Sequence, residues 1–292
     1  VLRDGVITGS RPMAGVDVPW IVRSMIGDAS KDFPRTEAPS FGAEALRVED
    51  VCLPRQGGGW LVDHVSLSLR EGEILGVYGL MGAGRTELLE CVIGTRPLAT
   101  GRVLVGGRPL VERDVAGRIR RGLALIPEDR KRDGLVQIMA IRENLTLSSL
   151  RDFTRLGSLD LRAEARRGLE FAKRLAVKAA SLELPVSSLS GGNQQKVVIG
   201  KALMTRPRVL LMDEPSRGID VGAKAEVFRV MRALASEGLG IVFVTSDLDE
   251  VMSLSDRIVV MAEGRISATF PAGADPAAVA AAAAPRSQER AA

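Results

Sequence analysis

The chain has 292 residues, of which 46% are apolar and only 3% are aromatic. This apolar content supports a substantial core and excludes bulk disorder. The excess of aliphatic over aromatic residues favours buried parallel strands covered by helices over an all-β sandwich. The formal charge of +4 raises the possibility of nucleic-acid binding. However, the arginines are scattered and few aromatic side chains are available for base stacking, so no nucleic-acid partner is expected.

The cysteines and the single histidine form no recognisable motif. Cys91 falls in an apolar helical pattern with Leu88 and Val92, which predicts a small buried hydrophobic side chain. Cys52 and His64 lack the spacing of a metal-binding motif, so neither a disulfide nor a metal site is expected from them. No apolar run approaches the ~20 residues that a membrane-spanning helix needs, and no signal peptide is recognised, which indicates a cytosolic chain.

Residues 1–42 predict the end of a preceding domain followed by a linker. Val1–Gly5 predicts a strand that runs into a turn, and the similar pattern at Ile258–Ile266 suggests a repeated domain ending. Trp20–Ile26 predicts a short apolar helix. Ser30–Phe41, with two prolines among charged residues, predicts the linker.

Residues 43–270 alternate apolar strands with amphipathic helices, which is typical of an α/β fold with a parallel sheet. The clearest strands are predicted at Ile74–Tyr78, Leu123–Ile126, Val209–Met212 and Ile241–Thr245. A helix is predicted over Ala223–Glu237, because its apolar residues share one face and Gly238 follows its end.

Two further segments have weaker patterns. Residues from about 137 to 190 show no strand signal, and helical spacing there predicts a helical subdomain. The residues at that spacing are Ala165, Leu169, Ala172 and Ala176. Residues 271–292 form an alanine-rich tail, for which a marginal helix over Ala277–Ala284 and a frayed end both remain open.

A glycine-rich loop follows the strand Ile74–Tyr78 and precedes a predicted helix over Glu87–Ile93, which is the context of a phosphate-binding loop. Its backbone N–H groups and the helix N-terminus suit an anion, and Thr86 supplies a hydroxyl for Mg²⁺. Arg85 replaces the usual lysine, so nucleotide binding is expected to survive while positioning of the γ-phosphate changes. The residues predicted to bind nucleotide are Gly79, Met81, Gly82, Ala83, Gly84, Arg85, Thr86 and Glu87.

An acidic pair and a second glycine motif complete the pattern. Asp213 and Glu214 end an apolar strand and face the ligand crevice, where they are predicted to hold Mg²⁺ and to deprotonate the attacking water, respectively. The second motif opens the helix that runs to Leu203 and predicts another anion site. It consists of Leu189, Ser190, Gly191, Gly192 and Asn193. Each motif alone is compatible with a helix cap or surface turn, but their occurrence in this order favours a nucleotide site.

These motifs resemble the Walker A, signature and Walker B motifs of the ABC transporter ATPase family. Gly79–Leu88, Glu128–Leu135 and Leu189–Lys196 are most similar to the second ATP-binding domain of fused ribose, xylose or galactose importers. The resemblance implies an α/β P-loop NTPase fold, the ABC cassette. In that fold a RecA-like core sheet is flanked by helices, an antiparallel β subdomain and a helical subdomain.

The resemblance also implies roles and partners. The signature residues would contact ATP bound to a partner cassette, either a missing N-terminal ABC domain or a second one. Glu128 would sense Mg²⁺ together with Thr86 and Asp213, and Asp220 would lie in the D-loop between cassettes. Transmembrane permease subunits, and indirectly a periplasmic or lipid-anchored sugar-binding protein, are the further partners implied, at the cytoplasmic face of the cell membrane.

Three departures from the family pattern converge on one nucleotide site: Arg85, Glu128 in place of glutamine, and Ser246 in place of a catalytic histidine. They suggest a site that binds ATP and Mg²⁺ but turns over slowly, with the intact signature completing a faster partner site. Alternatives are a regulatory cassette without hydrolysis of its own and a soluble ABC protein outside transport. Trp60 is a weak candidate for stacking on adenine, with a loop anchor as the alternative.

Overall fold

The computed structural model describes residues 2–3, 6–7, 9–10, 12, 40–155 and 157–284. The predicted helix Trp20–Ile26 and most of the linker Ser30–Phe41 lie outside the described residues. The strands are β1 (Leu2–Arg3), β2 (Val6–Ile7), β3 (Glu44–Pro54), β4 (Trp60–Arg70), β5 (Ile74–Tyr78), β6 (Thr100–Val105), β7 (Arg108–Pro109), β8 (Leu123–Ile126), β9 (Thr154–Arg155), β10 (Ser158–Leu159), β11 (Val209–Asp213), β12 (Gly240–Thr245), β13 (Arg257–Ala262) and β14 (Arg265–Pro271).

The α-helices are α1 (Arg85–Ile93), α2 (Val115–Arg120), α3 (Ile141–Thr146), α4 (Leu161–Arg174), α5 (Gly191–Leu203), α6 (Val221–Ser236), α7 (Leu248–Leu254) and α8 (Pro276–Ala282). A π-helical turn spans Arg130–Gly134, and 3₁₀ turns span Leu147–Phe153 and Val186–Ser188. Within the described part of the chain, no helix combines the length and apolar character that crossing a bilayer requires.

The central sheet has the order β14-β13-β5-β12-β11-β8. All neighbouring pairs are parallel except β13 with β14 at one edge. The four predicted strands are confirmed. Two have the predicted bounds, while β11 extends by one residue to Asp213 and β12 begins one residue earlier at Gly240. The parallel arrangement brings the carboxyl ends of β5 and β11 to the same edge of the sheet, next to the two segments that carry the predicted chemistry.

The central sheet separates two hydrophobic cores. Successive residues of a strand point to opposite faces, so Val209 and Leu211 enter one core while Leu210 and Met212 enter the other. The first core also contains buried residues of α1 and of the antiparallel sheet β4-β3-β6-β7. The second contains residues of α5 and α6 and of the helical subdomain. Burial on both faces explains why the strands appear in the sequence as continuous apolar runs.

The helical subdomain is present, but its buried face differs from the predicted spacing. Helix α4 begins at the N-cap Asp160, whose carboxylate accepts hydrogen bonds from two backbone N–H groups. Leu169 is 46% exposed, and Ala176 lies beyond the helix end in a left-handed conformation with φ 49°. The helix instead buries Glu164, Gly168, Phe171 and Ala172. Arg142 donates to the Glu164 carboxylate at 2.6 Å, so an ion pair, which apolar periodicity does not detect, orients this helix.

Helix α8 lies in the segment that the sequence predicted as an alanine-rich tail. It packs on β13 and β14, and its Val279 is fully buried. The Ser267 hydroxyl of β14 donates to the Ala282 carbonyl at 2.6 Å. The described part of this segment, as far as residue 284, is therefore a packed helix with a partner surface.

Candidate functional site

The glycine-rich loop connects β5 to α1 at the carboxyl edge of the central sheet. At two of its positions only glycine fits, because the backbone of another segment comes too close for a Cβ atom. A Cβ at Gly79 would lie 2.4 Å from the Met261 carbonyl oxygen, and one at Gly84 would lie 2.4 Å from the Leu61 carbonyl oxygen. Gly84 is also the N-cap of α1, with φ 91°, a conformation that favours glycine. The loop therefore has a fixed path that ends at the helix N-terminus, which suits an anion.

The remaining predicted residues of this loop differ in exposure. Met81 is 89% exposed at the tip, whereas Ala83 is buried. Gly82 has a positive φ of 79°, and Thr86 and Glu87 are half-buried in the first turn of α1. The structure thus places the predicted nucleotide-binding residues on one continuous segment.

Arg85 is the buried first residue of α1, with 8% of its surface exposed. Its Nη1 donates to Glu214 Oε1 at 3.1 Å, which joins the phosphate loop to the end of β11. Both side chains are largely shielded from solvent, so this ion pair is weakly screened. The residue that replaces the usual lysine therefore pairs with the predicted general base.

Asp213 ends β11 with its carboxyl group almost fully buried. Burial raises the pKa of this carboxyl to about 6, although a hydrogen bond with Thr86 opposes that shift. Its Oδ1 atom is buried and has no hydrogen-bond partner among the described residues. An unpaired carboxylate oxygen next to a threonine hydroxyl is a donor set that fits Mg²⁺, which prefers oxygen ligands.

Glu214 has a left-handed backbone, with φ 43°. Its Oε1 accepts hydrogen bonds from both Arg85 and the Ser246 backbone N–H, the latter at 2.9 Å. Its Oε2 is 3.4 Å from the Thr245 hydroxyl. The predicted base is therefore held mainly through one oxygen, and Ser246 contributes its backbone N–H while its side chain lies at the surface.

Glu128 follows β8 by two residues and forms an ion pair with Arg217. That pairing directs its carboxylate toward the loop before α6, and its predicted role at Mg²⁺ stays a prediction. Asp220, the predicted D-loop residue, is the N-cap of α6, and its Oδ1 accepts from the Ala223 N–H at 2.8 Å.

Arg130 was not singled out by the sequence patterns. It is 7% exposed, and its Nη1 and Nη2 donate to the carbonyls of Arg217 and Gly218 at 2.6 and 2.8 Å. A Cβ at Gly191 would lie 2.7 Å from Arg130 Nη2. This arginine therefore joins the π-helical turn, the loop before α6 and the start of α5. The available signal was its position in the charged segment that follows β8.

The signature segment forms the N-terminus of α5. Ser190 is the N-cap, and its hydroxyl accepts from Asn193 Nδ2 at 3.0 Å rather than from the backbone. Asn193 Oδ1 in turn accepts from the Lys178 N–H at 2.8 Å. A Cβ at Gly192 would lie 2.4 Å from Ala223 Cβ, and Leu189 is half-buried beside these residues. The serine hydroxyl and the helix N-terminus are exposed to a ligand from outside the chain.

The signature segment and the phosphate loop are not joined. Among the described residues, no hydrogen bond or ion pair connects Leu189–Asn193 to Gly79–Thr86. The phosphate loop pairs with Glu214 through Arg85, while Arg130 lies beside the signature and donates to the loop before α6. That loop also meets Glu214, whose carbonyl accepts from the Arg217 N–H at 2.9 Å. Trp60, the weak candidate for stacking, begins β4 and meets His64 edge-on, with ring centroids 6.1 Å apart.

Comparison with known proteins identifies the family. The family model described as ABC transporter matches residues 62–217. The ribose import ATP-binding protein RbsA of Rhodopirellula baltica is 44% identical over 92% of this chain and 53% of its own length. The xylose import ATP-binding protein XylG of Pseudomonas fluorescens (strain Pf0-1) is also 44% identical, with the same coverage. The chain therefore spans about half the length of the curated relatives it matches.

Solved structures agree on the fold. A dimeric ATP-binding cassette, MJ0796 bound to ADP and Pi, has a TM-score of 0.68 at 21% identity over 79% of this chain and all of its own. A nucleotide-free ATP-binding cassette from an ABC transporter has a TM-score of 0.66 at 23% identity over 78% of this chain and 92% of its own. The central sheet, the two glycine motifs and these matches lead to one conclusion: the chain belongs to the ABC transporter family and has the ABC cassette fold of P-loop NTPases.

Proposed function

We propose that this chain is one of two ATP-binding cassettes of a membrane importer for a monosaccharide of the ribose, xylose or galactose class. The names and the 44% identity of the relatives support the transported class, and the half-length match supports a second cassette in the complete protein. In this proposal the chain is the second cassette. It works at the cytoplasmic face of the membrane with permease subunits, and a sugar-binding protein delivers the sugar to them.

One observation supports the nucleotide assignment: the phosphate loop meets the buried Asp213 carboxyl group, which lies beside the half-buried Thr86 hydroxyl. The cradle of Gly79–Gly84 would hold the phosphates through backbone N–H groups, with Thr86 and Asp213 as the residues that would hold Mg²⁺. The unpaired Oδ1 of Asp213 supports this fit. A bound Mg²⁺ would supply charge neutralisation at the β- and γ-phosphates.

The Arg85–Glu214 pair supports slow turnover at this site. Glu214 Oε1 already accepts two hydrogen bonds, so only Oε2 is available to orient a water molecule. Arg85 donates to Glu214 through Nη1, so its charge would be divided between that carboxylate and a bound phosphate. Both residues therefore begin the reaction in a contact that competes with their proposed roles. The exposed signature at Ser190, by contrast, is free to complete the site of the partner cassette.

The test is ATP turnover of the complete two-cassette protein carrying Ser190→Arg or Glu214→Gln. Ser190→Arg is expected to lower turnover at least about tenfold, because losing a hydrogen bond to a charged phosphate costs about 1.5–3 kcal/mol. Glu214→Gln is expected to leave most turnover intact. Uptake of labelled ribose, xylose and galactose in the same variants identifies the sugar.

Ser187→Arg is the matched control for the added charge. Ser187 is exposed, three residues before Ser190 and outside the α5 N-terminus, so this variant is expected to retain turnover. If Glu214→Gln abolished turnover while Ser190→Arg left it intact, the assignment of the slow and fast sites would be wrong.

A second candidate function, a regulatory cassette without hydrolysis of its own, is favoured by the same Arg85–Glu214 contact. The two functions differ in a background where Ser190→Arg has removed the partner site. Residual turnover that falls further on Glu214→Gln supports slow hydrolysis by this chain. Residual turnover that does not change on Glu214→Gln supports the regulatory function.

A further inference from the structure

Three side chains with different metal-ligating groups meet on the antiparallel sheet, and none of them is among the residues predicted to bind nucleotide. Asp50 and Cys52 lie on β3, and His64, the only histidine of the chain, lies on β4. One ligand atom from each residue lies within 4.8 Å of those of the other two. Their sequence spacing matches no metal motif, and a local irregularity in the pairing of β3 with β4 brings them together.

That irregularity is visible in the backbone. The register shifts between Val48 and Val51, and both Asp50 and His64 adopt φ 51°, a conformation uncommon outside glycine. The His64 N–H donates to Cys52 Sγ at 3.3 Å, and the Ser66 hydroxyl accepts from the Asp50 N–H at 2.9 Å. These contacts fix the backbone beside the three side chains, whose ligand atoms lie within 4.8 Å of one another.

The three ligand types suit a borderline cation of the zinc class. His64 Nδ1 lies 2.6 Å from Asp50 Oδ1, and thiolate, imidazole and carboxylate are the groups that bind Zn²⁺. The alternative is a simple ion pair between Asp50 and His64. An exposed ion pair stabilises the fold by at most about 1 kcal/mol, and it does not involve the Cys52 sulfur. The side chains of Asp50 and His64 are 70% and 62% exposed, which leaves room for a water ligand.

Asp63 provides an independent indication. Its side chain is 7% exposed, and Arg265 Nε donates to its Oδ2 at 2.6 Å. Its Oδ1 is buried, finds no hydrogen-bond donor among the described residues, and lies 3.9 Å from His64 Nε2. A histidine that binds a metal through one ring nitrogen usually donates its other N–H to such a carboxylate. A His64 ring ligating through Nδ1 would satisfy Asp63 Oδ1 by a small rotation.

We propose that Cys52 Sγ, His64 Nδ1 and the Asp50 carboxylate bind one divalent cation of the zinc class, and that Asp63 positions the His64 ring. Binding replaces the thiol proton of Cys52 by the metal, so one proton is released to solvent as the S–metal bond forms. The site joins β3 to β4 and does not depend on nucleotide.

The test is a titration of the chain with Co²⁺, a spectroscopic substitute for Zn²⁺, in excess Mg²⁺ and without nucleotide. The expected result is one Co²⁺ per chain, with a thiolate-to-metal charge-transfer band that Zn²⁺ abolishes by displacement. Cys52→Ala and His64→Gln are expected to remove the band. Asp63→Asn is expected to retain the band and to weaken affinity about 10- to 100-fold.

Cys91→Ala is the matched control, because it removes the only other cysteine and should leave the band unchanged. The His64 side chain is exposed, so His64→Gln decides the question if Cys52→Ala does not fold. A band that survives His64→Gln, a band lost in Cys91→Ala, or the absence of stoichiometric Co²⁺ and Zn²⁺ binding to the folded wild-type chain would each overturn the proposal.

Discussion

Asp213 shows how burial and function conflict at a single carboxyl group. Its neighbours at the end of β11 exclude water, and one of its oxygens has no partner among the described residues. Burial raises the pKa from 3.8 to about 6, so in the folded chain without metal this carboxyl stays protonated up to about pH 6. In the proposed function the same oxygen would bind Mg²⁺, which would account for a costly buried carboxyl at this position.

This shift predicts a pH-dependent stability in metal-free buffer. Because the folded pKa lies above the unfolded one, the contribution of this carboxyl is fully present below about pH 4 and is lost as the pH rises through about 6. Asp213→Asn is therefore expected to be more stable than wild type by about 1–3 kcal/mol near pH 8 and by little near pH 4. Urea unfolding with a chelator at both pH values measures the difference.

The variant-minus-wild-type comparison cancels the contributions of titrating groups that do not interact with Asp213. Asparagine retains an acceptor for the Thr86 hydroxyl, so the hydrogen bond of that residue does not confound the result. A stability difference that stays constant across this pH range would contradict the assignment of the shift to Asp213.

Between elements, Arg130 holds the π-helical turn, the loop before α6 and the start of α5 in one arrangement. Each of its terminal nitrogens donates to a different backbone carbonyl. Burial lowers the pKa of this guanidinium, yet hydrogen bonds from a charged group to two carbonyls offset part of that cost. The predicted D-loop and the predicted signature therefore depend on the same arginine.

Replacing Arg130 by methionine is expected to lower the free energy of unfolding by about 1.5–3 kcal/mol, since hydrogen bonds to a charged group are lost and two carbonyls lose their donor. Lys131→Met is the matched control, because Lys131 is exposed and the hydrogen bonds described for it involve its backbone N–H and carbonyl rather than its side chain. Denaturant unfolding of both variants measures how much the Arg130 side chain stabilises the fold. Equal losses in the two variants would refute this role of Arg130.

At the scale of the whole molecule, the nucleotide-binding groups fall into two separate sets. The phosphate loop with Asp213 and Glu214 forms one set, and the signature with Arg130 forms the other. Among the described residues, no hydrogen bond or ion pair joins the two sets directly. In the proposed function, a second cassette would complete the site of each set.

Binding of ATP to this chain alone is accordingly expected to be insensitive to Ser190→Arg. Gly84→Ala is expected to weaken binding at least about tenfold, because φ 91° strains an L-residue and the added Cβ approaches the Leu61 carbonyl. A fluorescent ATP analogue measures both affinities, and circular dichroism confirms folding. Comparable weakening by Ser190→Arg would mean that the signature belongs to this chain's own site.

The sequence predicted the structure best where the character of neighbouring residues matches their environment in the fold. Strands buried on both faces are continuous apolar runs, so β5 and β8 could be predicted with correct bounds, and the phosphate loop needs glycine for steric reasons.

Other features could not be predicted from local sequence patterns. The Arg85–Glu214 contact joins residues 129 positions apart, so no local pattern indicates it. The orientation of α4 depends on the buried Glu164. A search for apolar residues at helical spacing cannot find this residue, because its side chain is charged. The meeting of Cys52 with His64 depends on a register shift, which no strand pattern encodes.

The left-handed backbone at Glu214 means that the carboxyl edge of the central sheet carries a strained residue. A non-glycine residue there costs about 1–3 kcal/mol, and the hydrogen bond from the Glu214 N–H to the Val244 carbonyl at 3.0 Å helps to hold it in place. Glycine would remove the strain but also the carboxylate. In a related chain, glycine at this position would therefore mark a cassette that had relieved the backbone strain and given up the proposed general base.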